Sequence, residues 1–126
     1  MATWMSTSQE RRRSPRIAEH IPLAVSEAGT ELQTETHNIS ASGAYCTLER
    51  FIAPMTKLLL RLELPNGPHR AKISCTGVVV RVEPVIANAD RGRYHIAVLF
   101  TELAARDRSI IERFIHKRLA TAKSTD

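Results

Sequence analysis

Cysteine, aromatic residues and long apolar runs are all scarce in this chain, and each shortage excludes something. The two cysteines, Cys46 and Cys75, stand far apart in strand-like surroundings. No Cys-x-x-Cys occurs, and His20, His37, His69, His95 and His116 lack metal-ligand spacing with either cysteine. Neither a disulfide framework nor a metal site is therefore expected. Both thiols read as buried and reduced, which predicts a cytoplasmic protein. Aromatic residues make up only 5%, too few for the stacking platforms that hold single-stranded nucleic acid. No apolar run approaches the ~20 residues that a membrane span requires. The first residues, Met1 to Ser6, have no charged region ahead of an apolar block, so they do not read as a secretory signal. No local motif gathers the scattered Ser, Asp, Glu and His residues into an acid–base or nucleophilic site. A non-enzyme without catalytic residues or cofactors is expected.

What remains is an ordinary single domain with a basic bias. The 126 residues are 43% hydrophobic and 25% charged, enough for one modest core. The net charge of +5 favours anionic partners. Fourteen of the eighteen basic residues are arginine, whose planar fork suits phosphates and guanine edges.

Met1 to Gln9 read as a disordered tail that includes Trp4, and Glu10 to Arg16 as an extended basic arm, because Pro15 keeps Ser14 out of the helical region. Nothing apolar within that arm predicts a fixed position for it. Six β-like segments follow: Ile21 to Val25, Glu31 to His37, Ala44 to Leu48, Leu58 to Leu64, Ala71 to Val82 and Tyr94 to Phe100. The clearest is Leu58, Leu60, Leu62 and Leu64, with Leu59, Arg61 and Glu63 on the opposite face. In the fifth segment Ile73 and Cys75 share one parity and Val78, Val80 and Val82 the other, which places a bulge at Gly77. His95 opposes the Tyr94/Ile96 parity and reads as solvent-facing. From about Ala104 to Ala120, Ile110, Ile111, Phe114, Ile115 and Leu119 form one helical stripe, and Thr121 to Asp126 read as a frayed tail. The pattern predicts a mainly β domain over residues 10–120, a small antiparallel barrel or sandwich. Its C-terminal α-helix would plug an open end or cover an edge.

Two short segments stand out from this background. Arg12 and Arg16 on the arm have the spacing R-x-x-x-R, which random placement of the chain's arginines produces roughly once or twice. Asn38-Ile39-Ser40-Ala41-Ser42-Gly43 is scarcer, with roughly 0.02 chance matches to an Asp/Asn-x-Ser-x-x-Gly pattern. Asn38 offers a donor and an acceptor, Ser40 a hydroxyl, and Gly43 room for a close approach. The same residues also suit a turn in which Asn38 and Ser40 bond only to their own backbone.

Together, and in this order, the two segments resemble the signature of the PilZ domain family. The resemblance extends through Gly77-Val78-Val79-Val80-Arg81 and Tyr94-His95-Ile96-Ala97-Val98-Leu99-Phe100 to the terminal helix, from about Glu10 to Leu119. It implies a six-stranded antiparallel β-barrel that binds cyclic di-GMP. Arg12 and Arg16 would contact guanine and phosphate, and Asn38, Ser40 and Gly43 would complete the pocket. Arg11, Arg13 and Ser42 would be additional contacts. An arginine at Arg11 is compatible in such domains with a stacked pair of ligands. Ala97 stands where relatives often have glycine, a difference expected to affect packing and not the site. The function implied is a receptor whose arm moves on ligand binding and signals to a downstream protein. The rivals are a basic barrel for single-stranded nucleic acid, disfavoured by the aromatic content, and a ligand-independent adaptor.

Overall fold

The structure, a computed structural model, describes residues 15–86 and 92–124. All six expected strands are present: β1 (Pro22–Glu27), β2 (Thr30–Ile39), β3 (Gly43–Leu48), β4 (Lys57–Asn66), β5 (His69–Pro84) and β6 (Tyr94–Glu102). Every pairing is antiparallel, in the order β1-β2-β3-β6-β5-β4, and β4 closes back onto β1. The result is a barrel and not a sandwich, so no strand presents an unpaired edge.

Alternation dictates the core. Leu58, Leu60, Leu62 and Leu64 of β4 are each at most 1% exposed, as are Val25, Ile73, Val79 and Ile96 from other strands. Burying each such side chain contributes about 1.5–3 kcal/mol relative to leaving it in water. Cys46 and Cys75 are buried free thiols. Burial pushes the Cys46 thiol up to about 12. Burial first, and the nearby Asp107 carboxylate second, push Cys75 up to about 11.

Gly77 does not reverse the facing of β5. Ile73, Cys75 and Val79 are all buried, so the inward parity runs straight through it. A Cβ at Gly77 would lie 2.7 Å from both Leu60 Cδ1 and Val98 Cγ1, which is why glycine stands there. A register irregularity does occur between Thr76 and Gly77, but the facing changes at Val80. This residue is the extra one between the Val79–Val98 and Arg81–Ala97 pairs, and it is 51% exposed.

With no edge to cover, the helix closes one end of the barrel. It is α1 (Ala105–Ser124), and it continues past the expected stop near Ala120. Ile111, Phe114 and Ile115 join the core. Arg108 Nη1 donates to Ala41 O at 3.2 Å, in the turn between β2 and β3, and Arg118 pairs with Glu19 at 3.1 Å. The chain entering β1 and the β2–β3 turn therefore meet at the end that the helix closes.

Candidate functional site

The chain before β1 is tied down where the sequence offered no reason to expect it. Ile17 exchanges two backbone hydrogen bonds with Ile39, at 3.0 and 2.9 Å, and its side chain is buried. Two and four residues after Ile17 the chain is held again: buried Thr36 donates its hydroxyl to Glu19 O at 2.5 Å and accepts from Ile21 N at 2.9 Å. Ile17 is the anchor for the arm's last residue. It lies just outside the stretch Glu10 to Arg16, which contains no apolar residue of its own.

Arg16 is thereby set against Asn38. Its Nη1 donates to Asn38 Oδ1 at 2.5 Å, across 22 positions of sequence. Partial burial desolvates the guanidinium, which lowers its pKa from the ordinary value, but an arginine stays charged. Asn38 follows a bulge in β2: Thr36 pairs with Cys46 and Asn38 with Tyr45, leaving His37 as the extra residue. Bulges re-aim side chains, and this one brings Asn38 into register with Tyr45 beside Arg16. Asn38 thus spends its carbonyl on the arm and not on its own turn.

Ser40 and Gly43 have structural duties. Ser40 is fully buried, and its Oγ accepts from the amides of Ser42 and Gly43 at 3.1 and 3.2 Å. Ser42 Oγ at 3.0 Å and Gly43 O at 3.4 Å are its remaining partners. Gly43 stands where β3 approaches β6 so closely that a Cβ would lie 2.2 Å from Val98 O. The turn is further held by Phe100 N donating to Ser42 O at 2.8 Å. Ser40 and Gly43 build the turn; Arg16, Asn38 and Ser42 face outward from it, and Gly43 also lines the hollow beside them.

These outward residues border an open concavity of about 320 Å³ on the barrel wall. Its floor is Tyr45 of β3, Ala97 of β6 and Arg81 of β5, consecutive partners across the three strands. Val80 and Leu99 form its apolar side. Ala97, expected from the sequence to bear on packing, also lines this concavity. Tyr45, Arg81 and Leu99 escaped sequence reasoning because strand pairing, not spacing, makes them neighbours. Their outward parity was the available signal. No carboxylate lines this concavity, and Arg16 and Arg81 both do. Hollows of similar volume exist elsewhere. One of about 410 Å³ over β1, β4 and β5 carries Glu63 and Lys72 beside an Arg61 already paired with Glu31, and so mixes charges of both signs. Arg11, Arg12 and Arg13 lie outside the described residues.

His95 is not simply solvent-facing. It stacks on Tyr45, with ring centroids 5.8 Å apart, and its Nδ1 lies 3.1 Å from Thr47 Oγ1. Among the described residues, no group of three or more His, Cys, Asp or Glu side chains is placed to hold a metal ion.

The family model described as the PilZ domain matches residues 10–117. The chain belongs to the PilZ domain family. A search of curated protein sequences finds no match. Among solved structures, this PilZ domain resembles the Bacillus subtilis inhibitor of motility MotI/DgrA, with a TM-score of 0.78 and 22% identity. That match covers 88% of this chain and 52% of the other. It also resembles Escherichia coli YcgR in complex with c-di-GMP, at a TM-score of 0.70 and 12% identity, covering 91% and 49% of the two chains. The K. pneumonia MrkH–c-di-GMP complex matches at 0.66 and 22% identity, covering 92% and 56%. At these identities the likeness is one of fold. The chain spans about half the length of each of these three proteins. No helix among the described residues is long and apolar enough to cross a membrane.

Proposed function

We propose that this PilZ domain is a receptor for cyclic di-GMP and not an enzyme. The observation that carries the reading is the Arg16–Asn38 pair at the rim of a concavity that contains a second arginine and no carboxylate. Membership of the PilZ family and the c-di-GMP complexes of YcgR and MrkH support the same ligand. Arg16 has donors left after its bond to Asn38, and a guanidinium can fork onto a phosphate or onto guanine O6 and N7. The Asn38 amide nitrogen adds a donor. Ser40 and Gly43 act by holding the turn that carries these groups, and Ser42 presents its hydroxyl. The hydrophobic side at Val80 and Leu99 suits the face of a base.

At about 320 Å³ and open to solvent, the concavity covers a dinucleotide from one side only. Arg11, Arg12 and Arg13 stand three to five positions before Arg16, close enough in sequence to supply groups for the other side. In this reading the arm closes over the ligand, hinged at Ile17, and the closed arm is the signal that a downstream protein reads in the cytoplasm. Titration calorimetry with cyclic di-GMP, GTP and a single-stranded oligonucleotide tests the reading. Saturable heat with cyclic di-GMP alone is expected, and none at micromolar ligand would sink it.

A further inference from the structure

Beside Asn38 lies a group of rings that the proposed ligand contacts do not use. His37 is the bulged residue of β2, between Thr36 and Asn38. Its Nε2 lies 2.5 Å from Thr47 Oγ1, and the same hydroxyl lies 3.1 Å from His95 Nδ1. Tyr45, on the floor of the concavity, stacks on His95 and has its ring centroid 6.1 Å from that of His37. The ionisable groups facing His37 are His20 before β1, Tyr45 of β3, and Arg93 and His95 at the start of β6. None of them is a carboxylate. Desolvation, then repulsion from His95, His20 and Arg93, lowers the His37 pKa from the ordinary histidine value, so the ring is neutral near pH 7.

A threonine hydroxyl has one proton and two lone pairs. Thr47 can donate to one imidazole while accepting from the other, so the chain of three groups accommodates a single added proton. A second would leave both rings donating and the hydroxyl proton without a ring acceptor.

We propose that an anionic ligand in the Arg16–Asn38 concavity draws one proton onto the His37–Thr47–His95 relay, which makes His37 a proton-linked positioning residue of that site. The ligand named in the test rests on the cyclic di-GMP reading above. Phosphodiester charge enters beside a ring whose ionisable neighbours are cations, imidazoles and a phenol, and it favours the charged imidazole. The carboxylate on this face, Glu83, is the register partner of His95 and pairs with Arg81. A group that is more protonated in the complex than in the free protein makes affinity rise as pH falls. One proton sets a ceiling of about tenfold per pH unit.

The test is calorimetry of the full chain with cyclic di-GMP between about pH 5.5 and 7.5, at constant ionic strength, in buffers of different ionisation enthalpy. Affinity should be at least about threefold higher at the acid end, with net proton uptake. H37Q keeps a donor for Thr47 but cannot titrate, so it should lose both the slope and the uptake. H116Q, on α1, should keep both. Equal slopes in the wild type and H37Q would overturn the proposal while leaving the ligand reading intact. Absence of binding at every pH would overturn both. Should H37Q fail to fold, the NMR titration of the wild-type His37 ring with and without ligand gives the same decision. An unmoved ring titration refutes the coupling.

Discussion

Arg16 Nη1 and Asn38 Oδ1 meet at 2.5 Å, and that contact joins the two sequence segments in one place. It is possible because Ile17 forms an antiparallel backbone bridge with Ile39, which leaves Arg16 and Asn38 as diagonal neighbours that the long arginine side chain can span. The anchor is apolar and buried, whereas the pair it positions stays accessible to a ligand.

Arg16→Ala and Asn38→Ala should each weaken cyclic di-GMP binding by about 1–3 kcal/mol, or roughly 5-fold to 150-fold. Neither side chain is in the core, so stability should change by only about 0.5 kcal/mol. The double variant should lose less than the sum, because the two act as a unit. Calorimetry alongside thermal unfolding checks this, and unchanged affinity in both single variants would refute the site.

Gly43→Ala should act in the opposite way, through stability. Its Cβ would lie 2.2 Å from Val98 O and 3.3 Å from Leu99 Cα, both backbone atoms that cannot swing aside. Overpacking of this kind typically costs about 1–3 kcal/mol, or a drop of several degrees in Tm. A variant that melts with the wild type would show that the β3–β6 approach does not require glycine.

Ala97→Leu places a larger side chain in the floor of the concavity between Tyr45 and Arg81. Binding should fall about tenfold or more, while the melting temperature stays near that of the wild type, since Ala97 is outside the core cluster. Calorimetry showing full affinity would mean that the ligand does not reach this floor.

Trypsin tests the arm. Saturating cyclic di-GMP should slow cleavage after Arg11, Arg12 and Arg13, whereas GTP should not, because bound phosphates engage those side chains. Cleavage after Arg16 should be slow even without ligand, since the bond leads into the bridged Ile17. Equal rates after Arg11, Arg12 and Arg13 with and without cyclic di-GMP would remove the arm from the mechanism.

By itself the sequence determined the strands, the helix stripe and the two motif segments, because each is a local matter. Leu58, Leu60, Leu62 and Leu64 alternate, and alternation at period two has one stable outcome when one face must leave water. Scarcity, not geometry, sets Asn38 through Gly43 apart, and the family resemblance implies cyclic di-GMP as the ligand. Tertiary structure decided how those residues divide their work. Ser40 and Gly43 look like ligand groups on paper, yet turn amides occupy the Ser40 hydroxyl and Val98 O excludes any side chain at Gly43. Ile17 reads as one apolar residue among many until Ile39 pairs with it. Tyr45, Ala97 and Arg81 lie far apart in the chain and share no motif. They became one surface because antiparallel register sets positions side by side across strands, and register is settled by the pairing of whole strands.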